Sequence, residues 1–228
     1  MKASVRKRFH NYFNRYLDPN VPFRQKWVSG WRYIGMAFGL VVEKIRGVDY
    51  EMIYHEDNGA EHCGNYTMSP NKVLRRIFND VGNLSDKGFI DIGCGKGYAV
   101  KMAHRAGFRI SGGVEYNRYL YDICMSNLKK DNVPTEYVVC GMAQDYEEYG
   151  KFDVFYFNNP FQADILSEVL RKIYETHSGR ECRCYYLNPT DKAKDEAFLN
   201  NGFKLVKVIE DPAESYFKMN VYSNMEWD

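Results

Sequence analysis

The chain has little from which a metal or disulfide framework could be built. Its six cysteines, Cys63, Cys94, Cys124, Cys140, Cys182 and Cys184, contain no C-x-x-C pair. Cys182 and Cys184 are read as facing opposite sides of one strand. Neither spaced zinc ligands nor a dense disulfide scaffold suits this pattern, so the thiols are read as packing groups and no metal is expected. An apolar N-terminal core followed by small residues is also missing, so no cleavable signal is expected and a reducing cytoplasm is the simplest compartment.

Long apolar runs are missing too. A membrane-crossing helix needs about 20 mostly apolar residues, and the most apolar stretch, 27–42, contains Arg32. Its Gly35-x-x-x-Gly39 spacing occurs on packing faces of membrane helices. However, Trp27, Trp31, Ile34, Phe38, Val41 and Ile45 continue one helical face past Glu43 and Lys44, the pattern of a soluble helix. Repeats and low-complexity tracts are absent. Net charge is nearly absent as well, at +1, but it is unevenly spread. Residues 1–46 hold ten Lys/Arg and two acids (+8), and the remainder 21 and 28 (−7).

What is present suits one folded domain with an appended segment. The chain has 228 residues, 19 Tyr and 14 Phe, which excludes wholesale disorder. From Val5 to Leu17, Val5, Phe9, Tyr12, Phe13, Tyr16 and Leu17 follow helical spacing among Arg6, Lys7, Arg8 and Arg15. This basic amphipathic helix ends at Asp18-Pro19-Asn20-Val21-Pro22. Three readings stand for it: an accessory helix packed on the domain, a contact with an anionic membrane surface, or a contact with a polyanionic partner. Residues 47–64 read as an acidic surface loop.

The chain is organised around Phe89-Ile90-Asp91-Ile92-Gly93-Cys94-Gly95-Lys96-Gly97-Tyr98. Phe89 to Ile92 reads as a buried parallel strand, and Tyr98 to Ala106 as the helix that leaves the turn. Gly93, Gly95 and Gly97 allow positive φ and let a ligand lie against the backbone. The spacing is D-x-G-x-G-x-G, not the G-x-G-x-x-G of a dinucleotide site. An acid two residues before the first glycine is unwelcome beside a pyrophosphate and suits a ligand with a positive amino group. A second strand, Ile110 onward, ends at Glu115, 22 residues after Gly93, where a carboxylate can accept from both ribose hydroxyls of a nucleoside.

On these two motifs the chain resembles the class I S-adenosylmethionine-dependent methyltransferases. The resemblance covers roughly Tyr66 to the C-terminus. It implies an α/β fold: a doubly wound, mostly parallel seven-stranded sheet with an antiparallel last strand, plus N-terminal helices. The domains are then a basic helical N-terminal extension, 1–65, and an S-adenosylmethionine-binding methyltransferase domain, 66–228. The cofactor implied is S-adenosylmethionine, with Asp91 holding its amino group and Gly93, Cys94, Gly95 and Gly97 lining its methionine part. Glu115 would clamp the ribose, and Tyr116 is a further cofactor-binding residue.

The third strand, Thr135 to Cys140, is followed by Gly141-Met142-Ala143-Gln144-Asp145. The family often has an acid-alanine pair here, the acid accepting from the adenine amino group. Met142 occupies the acidic position, so backbone groups of Met142 and Ala143, or the side chain of Gln144 or Asp145, are left to read the base. Tyr66 resembles a tyrosine that closes over the cofactor in some members; a core-packing tyrosine is the other reading. Ser69 is placed as N-cap and Pro70 as the first residue of the following helix.

Phe152 to Phe157 is an apolar strand whose carboxyl end faces the ligand crevice. The Asn158-Asn159-Pro160-Phe161 that follows resembles the N-P-P-[YF] motif of methyltransferases acting on amino nitrogens, with Asn159 in place of the first proline. The resemblance implies catalytic roles for Asn158, Pro160 and Phe161. Asn158 would accept a hydrogen bond from the acceptor's N–H, and the aromatic ring would pack on the acceptor. An ordinary strand-ending turn is the alternative. The methyl acceptor implied is a protein lysine, a small amine or another nucleophile. A non-catalytic S-adenosylmethionine-binding or partner-docking protein is the second functional class, and an NAD-dependent dehydrogenase a third, disfavoured by the glycine spacing and Asp91.

Tyr119, Ile123 and Leu128 mark a helix after Glu115, and the remaining pattern gives helices at 164–176 and 192–200, with Gly202 as C-cap of the last. Strands are expected at 182–187, 203–210 and 216–222.

Overall fold

The computed structural model describes residues 38–51, 66–189, 191–210 and 218–225. The expected helix at 5–17, the start of the 27–45 helix and Cys63 lie outside the described residues.

In β4 (Val154–Phe157) every residue is buried, yet neighbours enter different cores. Val154 and Tyr156 join one cluster, Phe155 and Phe157 the other. A period-two strand covered on both faces does this. β5 (Arg183–Leu187) repeats the pattern, with Tyr185 and Leu187 on one side and Cys184 and Tyr186 on the other. Cys182 joins the same cluster as Cys184. Residues two apart share a face, which corrects the opposite-face reading of this pair.

β1 (Gly88–Ile92), β2 (Ile110–Glu115), β3 (Val138–Cys140), β6 (Lys204–Glu210) and β7 (Lys218–Ser223) complete a seven-stranded sheet, ordered β3-β2-β1-β4-β5-β7-β6. β1 pairs in parallel with β2 and β4, as do β2 with β3 and β4 with β5. β7 runs antiparallel between β5 and β6. The chain therefore forms the expected doubly wound sheet with a reversed closing strand. Strand order changes direction between β1 and β4, and this topological switch opens a crevice at their carboxyl ends.

α1 (Asn71–Val81) and α2 (Tyr98–Ala106) pack on one face through Leu74, Ile77 and Ala103. α3 (Arg118–Lys130) extends that side through Cys124 and Leu128, against Val100 and Val138. α4 (Ala163–Thr176) and α5 (Lys192–Asn200) cover the other face with Leu166, Leu170, Ile173 and Phe198. Asn117 caps α3 by accepting from Leu120 N at 3.1 Å. Asn201, not the expected Gly202, is the C-cap of α5, and Gly202 follows it at φ +85°.

Two further expectations are corrected. The third strand forms only over Val138–Cys140. α1 starts at Asn71 with Pro70 in the cap position and no side-chain cap, because Ser69 Oγ is bonded elsewhere.

Part of the expected extension is anchored on the domain. Residues 38–46 are helical, and the backbone N–H and C=O of Asp49 bond to Oδ1 and Nδ2 of Asn127, both at 2.9 Å. Tyr50, 1 % exposed, donates to Asp131 Oδ2 at 2.9 Å. Among the described residues no helix is long and apolar enough to cross a membrane.

Phe198 is fully buried and stacks on Tyr222 with ring centroids 3.9 Å apart and planes 3° from parallel. Phe198→Ala should lower the unfolding free energy by about 3–5 kcal/mol, read from denaturant titration. A loss below about 1 kcal/mol would mean that this core half closes around the gap.

Candidate functional site

The glycine loop is fastened by its own backbone and one carboxylate. Gly93 N and Cys94 N both donate to Val114 O, at 2.9 and 3.0 Å. Gly95 N donates to Glu115 Oε2 at 2.7 Å, and Asn117 N to Glu115 Oε1 at 2.9 Å. Buried Glu115 thus joins the loop after β1 to the start of α3.

Glycine is required here. φ is +82° at Gly93, +53° at Gly95 and +83° at Gly97, in the left-handed region that side chains disfavour. Close approach adds to this. A Cβ on Gly95 would lie 2.2 Å from Tyr66 Cδ2, and one on Gly93 2.8 Å from Pro160 Cβ. The ring of Tyr66 therefore rests on bare backbone, and its hydroxyl donates to Tyr50 O at 2.8 Å. Gly97 differs: it precedes α2, its Cβ would meet Cys124 Sγ at 2.5 Å, and it is not among the residues lining the cavity.

A cavity of about 510 Å³ opens between this loop, Tyr66 and the carboxyl ends of β2, β3 and β4. Of the residues singled out from sequence, Tyr66, Asp91, Gly93, Cys94, Gly95, Glu115, Tyr116, Met142, Ala143, Asn158, Pro160 and Phe161 all line it. Gln144 lines it and Asp145 does not. Thr67, Ser69, Ile165 and Asn188 also line it, and sequence reasoning missed all four as site residues. Only the first two had a usable signal, being next to Tyr66 just before a helix.

The walls carry unmatched polar groups. Asp91 is 5 % exposed, and its Oδ1 is buried with no hydrogen-bond partner among the described residues. Burial, and then the nearby charge of Glu115, push its pKa well above the usual carboxylate range. Gln144 Oε1 is likewise buried and unpartnered. The cavity therefore offers an acid suited to a cation, a buried amide acceptor suited to an N–H donor, and between them the carboxylate of Glu115 on the lining.

At the end of β4, Asn158 Nδ2 donates to Thr67 O at 3.3 Å and Ser69 Oγ at 3.4 Å. Ser69 Oγ also accepts from Tyr156 Oη at 2.9 Å, which is why it does not cap α1. With its amide nitrogen so used, Asn158 keeps Oδ1 as a free acceptor among the described residues. Asn159 has φ +48°. Proline is locked near −65°, so this tetrad turns by a route that the N-P-P sequence cannot follow.

No protein-family model matches the chain, and no curated protein matches it. Solved structures do. A ribosomal protein L11 methylase from Lactobacillus delbrueckii subsp. bulgaricus aligns at 14% identity and TM-score 0.54, over 66% of this chain and 77% of its own. Magnesium protoporphyrin IX methyltransferase from Synechocystis PCC 6803, solved with bound S-adenosylmethionine, aligns at 14% identity and TM-score 0.52, over 67% and 77%. A precorrin-6y C5,15-methyltransferase from Geobacter metallireducens GS-15 aligns at 15% identity and TM-score 0.50, over 68% and 88%. The chain has the class I methyltransferase fold. At these identities the likeness concerns the fold, and within that fold the cavity lies at the switch point between β1 and β4 where open α/β sheets bind ligands.

Gly95→Ala should cost about 1–3 kcal/mol of stability through backbone strain and the displaced Tyr66 ring. Tyr66→Ala in the same chain should recover part of that loss in a denaturant double-mutant cycle. Strict additivity would show that ring and loop do not press on one another.

Proposed function

We propose that the protein is an S-adenosylmethionine-dependent methyltransferase acting on a nitrogen of its acceptor. The observation that carries this reading is Asp91, a buried carboxylate with an unpartnered oxygen on the wall of a cavity lined by the positive-φ glycine loop. A pyrophosphate would be repelled there, and an α-ammonium group would neutralise the acid.

The residues present fit the cofactor. Asp91 would take its ammonium group, Gly93 to Gly95 would lie along its methionine chain under Tyr66, and Glu115 would accept from the ribose hydroxyls. Gln144 Oε1 would accept from the adenine amino group, the role that Met142 cannot perform. When bound, S-adenosylmethionine supplies an electrophilic methyl: the nitrogen–carbon bond forms, the carbon–sulfur bond breaks with its pair left on sulfur, and the nitrogen sheds a proton to water. Asn158 Oδ1 would hold an acceptor N–H and so orient the nitrogen lone pair. In-line displacement needs such positioning more than a dedicated base. The neighbours named above are methyltransferases, and one was solved with this cofactor, which supports the reading.

Calorimetric titration with S-adenosylmethionine and its demethylated product, with NAD as control, tests it. Binding of the first two alone is expected; preference for NAD would overturn it. Glu115→Ala should weaken cofactor binding by about 1.5–3 kcal/mol, the worth of a hydrogen bond to a charged group. Unchanged affinity would remove the ribose role.

The raised pKa of Asp91 makes a second prediction. A cationic ligand group favours the ionised acid, so affinity should rise with pH through the range, above the usual carboxylate one, in which Asp91 loses its proton. Asp91→Asn should bind more weakly and lose that dependence; a wild-type affinity that is flat over the same range would contradict the Asp91 contact.

A further inference from the structure

An ordinary surface helix turns its apolar side inward and its polar side to water. The helix at 38–46 is laid the other way round. Gly39, Glu43 and Arg46, spaced i, i+4 and i+7, share one side of it and face inward. A Cβ on Gly39 would lie 2.3 Å from Glu51 Oε1. Glu43 Oε1 accepts from Tyr50 N at 3.0 Å and from Glu51 N at 3.2 Å. Arg46 donates to Asp131 Oδ1, on the carboxylate that also receives the Tyr50 hydroxyl. Phe38, Val41 and Ile45, spaced i, i+3 and i+7, form a stripe on the other side, and they are 69 %, 55 % and 80 % exposed. By sequence, Trp27, Trp31 and Ile34 continue that spacing upstream.

The exposed charge beside this stripe is positive. Lys44 is exposed on the helix itself, and Arg46 keeps 41 % of its side chain exposed while paired. The side chain of Asp131 is fully buried and is shared among Arg46, Lys101 and Arg105, so one carboxylate meets three cations. Lys130, exposed next to exposed Lys129, donates to Gly47 O, two residues past Ile45. Neighbouring acids are already engaged, Glu43 with the backbone N–H groups named above and Asp49 with Lys96 at 2.8 Å.

We propose that this helix is a docking element for an anionic lipid bilayer: its apolar stripe enters the interface, and the Lys and Arg side chains around it meet the lipid phosphates. Helices that lie in a membrane interface combine an apolar face with bordering cations, and each Lys or Arg near an anionic leaflet adds to the attraction. Other occupants fit less well. Residues 1–37 hold eight Lys/Arg and one acid, so that segment would set like charge against like, whereas toward an anionic bilayer its charge adds to the attraction. A second copy docked through the same face would bring the cations of both copies together. A nucleic acid would take the cations and leave the apolar stripe in water. The helix is also firmly joined to the domain. Val48 is buried, and Asn127 holds the backbone of Asp49, so docking would fix the domain beside the bilayer through a short connection. The proposal is independent of the chemistry at the cavity.

The test is flotation of the full chain with two kinds of vesicle, phosphatidylcholine alone and an equal mixture of phosphatidylcholine and phosphatidylglycerol. Binding to the anionic vesicles only, weakened by added salt, is expected. The double variant Phe38→Asp/Ile45→Asp changes two exposed side chains that hold nothing in the domain. It should lower the partition coefficient onto anionic vesicles by at least about tenfold, with the melting temperature unchanged. Absence of flotation with anionic vesicles overturns the proposal, and equal flotation with neutral ones overturns the part given to the cations. Undiminished flotation of the double variant overturns the part given to the stripe and assigns lipid binding elsewhere in the chain. A dimer that the double variant converts to monomer, without flotation of either, overturns the proposal in favour of a second copy on this face.

Discussion

The carboxylate of Glu115 is the tie on which the cavity depends. It leaves the carboxyl end of β2, accepts from Gly95 N and Asn117 N, and so fixes the glycine loop and the first turn of α3 in one step. Asn117 then caps α3 with its own side chain, and α3 in turn supplies Cys124, which packs against the bare Cα of Gly97. An amide of similar size has one acceptor oxygen, whereas the carboxylate meets each of these backbone donors with a separate oxygen. The same charge carries a cost. Placed near buried Asp91, it adds to burial in holding that acid's pKa up, so the protonated form of Asp91 is favoured until something positive enters.

The loop is coupled outward as well as inward. Lys96, between two of the glycines, pairs with Asp49 at 2.8 Å, and its carbonyl accepts from Asn127 Nδ2 at 3.1 Å. Asn127 also holds Asp49 through both backbone groups. Tyr66 lies on Gly95 and reaches back to Tyr50. Residues 49 and 50 are therefore fastened to the loop that borders the cavity, so a division of the chain at residue 65 separates sequence regions that are physically joined.

Much of the sheet was legible because strand burial has a simple signature. Runs such as Val154 to Phe157 are apolar at every position only when both faces are covered, and the glycine triplet marks where the backbone must reverse. The acid before the triplet and the acid 22 residues later were readable for the same reason, since each sits at the end of a strand where side chains face the crevice. Ser69 was not. Ser-Pro before a helical pattern is a capping signal in local terms, and the competing hydroxyl of Tyr156, 87 residues away, has no local trace. The third strand shortened for a related reason: Val138 N donates to Thr135 O at 3.0 Å, a turn that keeps residues 135–137 out of the ladder, which starts where Val138 meets Gly113.

The N-N-P-F tetrad shows how a sequence likeness and a geometry can part. By residue type, Asn159 is a departure at one position of a known pattern, and the natural reading is a weakened copy. Its φ of +48° makes it a different turn, one closed to proline altogether. The groups that fix its side chain, Tyr186 on β5 and Lys194 on α5, come from elements 27 and 35 residues further along the chain. They are visible only once β5 lies beside β4 and α5 folds back over the same face. A substitution that looks like loss in one dimension thus becomes, in three, a side chain with a single allowed orientation. The direction of its free N–H donors follows from the one fact that an ammonium group cannot accept a hydrogen bond.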